Sequence, residues 1–132
     1  MSIEYKDIKS FQAKQLEDLF LSVKWESGRH PEKLVEAMRN SGAVFSAWDN
    51  DTLVGLINAL DDSIMTAYVH FLLVNPEYQG KGIGKELLRM VKDKYQDYLR
   101  IVLVSDDNEI GFYQNSDFVL GRGTTAMFIN RF

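Results

Sequence analysis

This 132-residue chain offers few side chains for chemistry. It has no cysteine and two histidines, His30 and His70. Disulfides, thiolate metal sites and cysteine nucleophiles are therefore excluded, and no metal site of the usual nitrogen/sulfur kind is expected. Glycine is the one resource concentrated in a single place, the segment Gln79-Gly80-Lys81-Gly82-Ile83-Gly84-Lys85. Between a strand and a helix, glycines let the backbone turn tightly and approach a ligand with no Cβ in the way. The unpaired N–H groups of the helix's first turn then point outward, backed by the positive end of the helix dipole, and this geometry binds phosphate. Lys81, Lys85 and Arg89 add local positive charge to a chain whose net charge is −4. A Walker A loop is ruled out, because Gly84-Lys85 is followed by Glu86 and Gln79 stands where the first glycine belongs. A dinucleotide fingerprint is ruled out too, because the third glycine comes one residue early. By itself the segment reads either as a phosphate cradle or as a flexible strand-to-helix turn.

His70 is the residue best tuned to act as a base near neutral pH. An amine nucleophile arrives protonated, with a pKa near ~10, and needs a base or a water chain to free its lone pair. Strict strand alternation puts Tyr68, His70 and Leu72 on one face and Val69, Phe71 and Leu73 on the other. The competing reading is a histidine hydrogen-bonded locally within the sheet. His30 precedes Pro31 and reads as a helix-entry residue.

The elements that must position these groups alternate helix and strand. The chain is 45% hydrophobic and 26% charged, which suits one soluble globular domain spanning residues 1–132. Its acidic balance argues against a nucleic-acid partner. No apolar run approaches a membrane span and no targeting segment is visible, so a cytoplasmic protein, monomer or homodimer, is expected. A short strand at 3–8 precedes an amphipathic helix over 11–24, with Ser10 at its N-cap. Pro31 opens a second helix and Gly42 follows its end. Three extended runs, Ala43–Trp48, Leu53–Leu60 and Ile64–Val74, are separated by Asp49-Asn50-Asp51 and Asp61-Asp62-Ser63 and predict an antiparallel meander. The glycine segment leads into a helix over about 82–98, with Ile83, Leu87, Val91 and Tyr95 on one side. A strand at Arg100–Val104, a short helix at 109–115 and strands at Phe118–Leu120 and Thr124–Asn130 complete the pattern. The fold class is α/β (α+β): a mixed, mostly antiparallel central sheet flanked by helices.

With its flanks, Leu73-Val74-Asn75-Pro76-Glu77-Tyr78-Gln79-Gly80-Lys81-Gly82-Ile83-Gly84 resembles the signature of the GCN5-related N-acetyltransferase (GNAT) superfamily. Phe112-Tyr113-Gln114-Asn115-Ser116-Asp117-Phe118 resembles a second family element, F-Y-x-x-x-G-F, and the order of elements agrees along nearly the whole chain. The resemblance implies acetyl-coenzyme A as acyl donor, held at its pyrophosphate by the backbone of residues 80–85 (Gly80, Lys81, Gly82, Ile83, Gly84 and Lys85, after Gln79). It implies that the strand at Leu72, Leu73 and Val74 splays from its neighbour and pairs with the pantetheine arm, and an exposed strand edge does satisfy amides. It implies direct attack of an amine on the thioester, with Tyr113 near the sulfur. A phenol titrates near ~10 and a thiol near ~8.5, so hydrogen-bonding the sulfur matters more than full proton transfer. His70 stands on the strand where arylalkylamine acetyltransferases carry histidines. Asp117 departs from the family's glycine, Gly111 sits inside the short helix, and Asp106 and Asn108 both compete for the position of a cofactor-contacting residue ahead of Tyr113.

The acceptor is expected to be the primary amine of a small molecule, with Trp25, Glu26, Arg29, Phe45 and Trp48 as contributors to its site and turn aspartates attracting a cation. A coenzyme A sensor without turnover and an acetyltransferase of protein N-termini or lysines are the alternatives.

Overall fold

The computed structural model describes residues 2–132. In chain order its elements are β1 (Ile3–Lys6), α1 (Ala13–Ser22), α2 (Pro31–Arg39), β2 (Ala43–Asp49), β3 (Thr52–Asp61), β4 (Thr66–Val74), α3 (Ile83–Lys94), β5 (Arg100–Leu103) and α4 (Ile110–Gln114). Short 3-10 turns occur at Glu26–Arg29, Pro76–Tyr78 and Asp107–Glu109. The strands form one sheet in the order β1-β2-β3-β4-β5, antiparallel through β4 and parallel between β4 and β5.

Turn chemistry fixes the meander. Asn50 takes φ 54° between β2 and β3, a left-handed conformation asparagine tolerates. Before β4, one oxygen of Asp62 accepts the backbone N–H groups of Ile64, Met65 and Thr66 at 2.9, 2.7 and 3.1 Å. Those bonds hold its carboxyl below the usual carboxylate range. The acidic turns are thus structural: Asp49 accepts from the Tyr78 hydroxyl and Asp61 from that of Tyr95.

β2 and β3 are buried on both faces because helices cover both. On one face α3 presents Ile83, Leu87, Val91 and Tyr95, all buried as their spacing predicts. Each such side chain stabilises the fold by about 1.5–3 kcal/mol. On the other face Leu16, Leu19 and Phe20 of α1 and Leu34 and Met38 of α2 pack against Val44, Trp48, Leu53 and Leu56.

Three sequence expectations change. The first helix is capped at Gln12, not Ser10, with the Gln15 side chain accepting from the Gln12 N–H at 3.0 Å. Phe45 and Trp48 are core residues rather than parts of an acceptor site; Trp48 stacks on Phe11 and donates its indole N–H to Ser46. The strands expected at Phe118–Leu120 and Thr124–Asn130 do not form, and residues 119–132 lie exposed. A strand needs a partner's backbone, and within this single chain that segment meets none.

Candidate functional site

The site begins at an irregularity in β4. Ala59 pairs with Val69 and Asn58 with Phe71, so His70 is an extra residue, a β-bulge. The bulge breaks the alternation expected from sequence. Val69, Leu72 and Val74 pack toward α3, whereas Phe71 and Leu73 pack toward α1 and α2. It is held from inside by Asn58, which is 1% exposed. The Asn58 carbonyl oxygen accepts the Phe71 N–H at 2.9 Å, and its amide donates to the Ser41 hydroxyl at 3.1 Å. Ser41 in turn donates to the Ala37 carbonyl of α2 at 2.8 Å, so this buried network is satisfied throughout. Sequence reasoning passed over Asn58. The available signal was a lone amide within the apolar run Leu53–Leu60.

The bulge coincides with a divergence of strands. Pairing between β4 and β5 ends at Val69 and Leu103. Beyond it, the β4 edge from His70 to Val74 faces a wedge instead of a neighbouring strand. The wedge is thus two residues longer than the Leu72–Val74 stretch expected. The Leu73 side chain belongs to the core, so only its backbone is available to a ligand.

The glycine loop closes the wide end of the wedge. Gly80 and Gly82 have φ of 77° and 83°, with no atom within 4 Å of where a Cβ would stand. This is backbone in a conformation that favours glycine, open to close approach. The Glu86 N–H makes the first bond of α3, to the Gly82 carbonyl at 3.0 Å. The N–H groups of Ile83, Gly84 and Lys85 thus have no helical partner. The Ile83 side chain is buried, Lys81 and Lys85 are exposed, and Arg89 makes a bidentate pair with Glu86 at 2.8 Å. Gln79 has a bracing role: its side-chain amide donates to the Val74 carbonyl at 3.0 Å and fastens the loop to the end of β4. A cavity of about 250 Å³ beside this helix start is lined by Gly82, Lys85, Arg89 and Lys92 among others.

Short helix α4 meets the other two elements here. A Cβ at Gly84 would stand 3.4 Å from the Phe112 ring and 3.7 Å from Val74, so the ends of β4, α3 and α4 converge on one spot. Tyr113, next to Phe112, is half-buried, and its ring meets those of Phe112 and Phe118 edge-on at 5.1 and 5.9 Å. Burial first, then the charges of Glu109 and Asp106, push its phenol up to about 12. Asp106 therefore lies within electrostatic reach of Tyr113. At the family's glycine position, Asp117 takes the left-handed φ of 76° that a glycine would supply, and Lys92 donates to its carboxylate at 2.7 Å.

On the opposite face of the sheet, a cavity of about 500 Å³ lies between His70, Phe71 and the start of α2 on one side and residues 129–132 of the exposed C-terminal segment on the other. His70 is solvent-exposed along one side and stacks on Phe71 with ring centres 3.9 Å apart. That cover desolvates the imidazole and lowers its pKa. His30 stands at the N-cap position of α2 as expected from Pro31, and it also lines this cavity. Trp25 lies against Phe71 with ring centres 5.9 Å apart, while Glu26 and Arg29 pair with each other at 3.3 Å. Among the described residues, no cluster suited to a metal ion occurs, and no helix is long and apolar enough to cross a membrane.

Known proteins resemble this chain in sequence and fold. A model of the acetyltransferase (GNAT) family matches residues 10–118. An uncharacterized N-acetyltransferase, ycf52-like, from Prochlorococcus marinus is 32% identical over 124 residues, covering 88% of this chain and 67% of its own. The uncharacterized N-acetyltransferase ycf52 of Pyropia yezoensis is 28% identical, covering 89% of this chain and 73% of its own. The solved structure of a GNAT family acetyltransferase from Streptococcus pneumoniae TIGR4 matches with a TM-score of 0.85 at 27% identity, covering 98% of this chain and 99% of its own.

Proposed function

This chain belongs to the acetyltransferase (GNAT) family, and from that premise we propose that it moves the acetyl group of acetyl-coenzyme A directly to the primary amine of a small molecule. The observation that carries the reading is the wedge after Val69 and Leu103, opening onto the glycine cradle with Tyr113 on the adjoining helix. Acetyl-coenzyme A supplies an activated acyl thioester and, on transfer, a thiolate leaving group.

The chain's part is to bind, orient and manage protons. The backbone N–H groups from Gly80 to Lys85 suit a pyrophosphate, with Lys81 and Lys85 adding charge. The β4 edge from Leu72 to Val74 suits the amides of an extended arm. His70 acts as a base or proton relay: its lowered pKa keeps the imidazole neutral through the ordinary histidine value, so it accepts a hydrogen bond from the incoming ammonium while the proton passes on to water. Tyr113 faces a different task. With its phenol at about 12 and a thiol near ~8.5, passing the proton to sulfur is uphill by roughly 5 kcal/mol. Its role is to donate a hydrogen bond to the sulfur while keeping its proton. Much of the rate gain comes from holding the amine against an ordered thioester.

A small acceptor is favoured by the cavity beside His70, whose volume falls in the range of small-molecule sites. Its charged neighbours Lys33 and Arg131 are basic, so acidic steering of the amine has no support there. Free-thiol release from acetyl-coenzyme A over a panel of amines and peptides tests the proposal, with release expected for one or more small amines. Release with peptides alone would overturn the small acceptor. Binding of coenzyme A with no release would favour a sensor.

A further inference from the structure

Helical spacing sets which side of α2 meets the cavity beside His70. His30, Lys33, Leu34 and Ala37 stand at i, i+3, i+4 and i+7, and all four line it. Leu34 is buried and Lys33 is exposed, so this wall runs from the core to a charged rim. The other wall comes from a distant part of the chain and repeats the composition: Ile129 and Phe132 are apolar and Arg131 is a cation. Phe71 adds a half-buried ring stacked on His70. The chain has 19 acidic and 15 basic side chains, yet among the described residues no acidic side chain lines this cavity. Lys33 and Arg131 enter none of the ion pairs among the described residues. The acids nearest in sequence do not answer them. Glu26 is taken by Arg29 at 3.3 Å, and Glu32 and Glu36 fall outside the lining. Two cations on facing walls of one largely apolar cavity attract an anion, while the acidic balance of the rest of the chain repels it elsewhere.

We infer that the acceptor is an amine that also bears an anionic group, a carboxylate or a phosphate, on a short apolar body, with Lys33 and Arg131 holding the anion. The inference rests on the proposed transfer to a small amine and narrows its substrate class. The amine end meets His70, and the apolar body lies against Leu34 and Phe71. Arg131 brings paired N–H donors that match either anion, and Lys33 brings a point charge. A neutral amine leaves both cations without a counter-charge, and a polyamine meets like charge, so the cavity selects against both.

Matched amines that differ chiefly in the anion test this. Benzylamine is compared with para-(aminomethyl)benzoate and para-(aminomethyl)phenylphosphonate, and hexylamine with aminohexanoate. Thiol release from acetyl-coenzyme A is expected to give a kcat/KM about tenfold higher for an anionic amine than for its neutral partner, mostly through KM. The better of the two aromatic anions tells carboxylate from phosphate. Lys33→Gln and Arg131→Gln are each expected to lower that preference about threefold. Lys94→Gln, on α3, removes the same charge elsewhere and is expected to leave the preference unchanged. All three side chains are exposed, so the fold tolerates their replacement. Calorimetry of the same amines against protein saturated with coenzyme A reads the preference without turnover. Equal kcat/KM within the matched sets, or a preference that survives Lys33→Gln with Arg131→Gln, would overturn the inference and leave transfer to a small amine standing. Selective binding of the anionic amines with no thiol release would support the anion site and overturn the transfer. Binding of none of these amines would overturn the inference.

Discussion

Replacing Asn58 by alanine should damage transfer although its side chain is buried and bonds only Phe71 and Ser41. The change removes the acceptor of the Phe71 N–H and the donor to Ser41. A partly buried N–H left unmatched costs about 1–3 kcal/mol, and the lost bond to Ser41 about 1 more. The total, about 2–4 kcal/mol, lowers Tm by about 10 °C for a domain of this size. Destabilisation alone would not distinguish a brace from any buried amide. Ser41→Ala provides the contrast: it strands the Asn58 amide at similar cost but keeps the bond to Phe71. Thiol release measured 20 °C or so below both melting transitions should show kcat reduced at least tenfold in Asn58→Ala. In Ser41→Ala it should stay near the wild-type value. The physical reason is the bulge. Without Asn58, β4 can realign against β3 and turn His70 away from the cavity. A wild-type kcat in Asn58→Ala, with the expected loss of stability, would refute the claim that Asn58 positions the site.

Three further predictions follow from single residues. Tyr113→Phe should lower kcat by about 10–100-fold and leave coenzyme A binding within about twofold, read by calorimetry beside kinetics; parallel losses would mark a packing residue. For His70 the folded pKa is lowered, so its neutral form adds stability above the ordinary value of ~6.5, lost as pH falls through the folded value. The acid limb of the kcat/KM profile should accordingly have its midpoint below ~6.5 and disappear in His70→Gln; an unchanged limb would assign the base to water or substrate. Gly111 has no atom within 4 Å of a Cβ position and ordinary helical backbone, so Gly111→Ala should raise stability by about 0.5–1 kcal/mol, seen as a Tm rise of a few degrees.

What was legible in the sequence was whatever depends on local chemistry. The glycine cradle, the phase of α3 and the Pro31 helix start are set by residues within a few positions of one another. The bulge at His70 was not, because it arises from the register between β3 and β4, and the apolar pattern of Ile64–Val74 looks continuous through it. Asn58 was overlooked for the same reason: its partners lie 17 and 13 positions away. Asp117 shows the opposite case. A departure from the family's glycine changed nothing in the turn, since aspartate accepts the left-handed conformation and Lys92 holds its carboxylate. The C-terminal strands were misjudged because strand-forming residues state a propensity, while a strand also requires a free edge within reach.

The proposed transfer requires the acyl donor to lie along β4 and at the head of α3. Amide hydrogen exchange with and without saturating coenzyme A tests it most directly. Protection is expected to concentrate at residues 72–74 and 80–85, with β1 and β2 unchanged. Binding that leaves both stretches unprotected, or no binding at millimolar ligand, would contradict it.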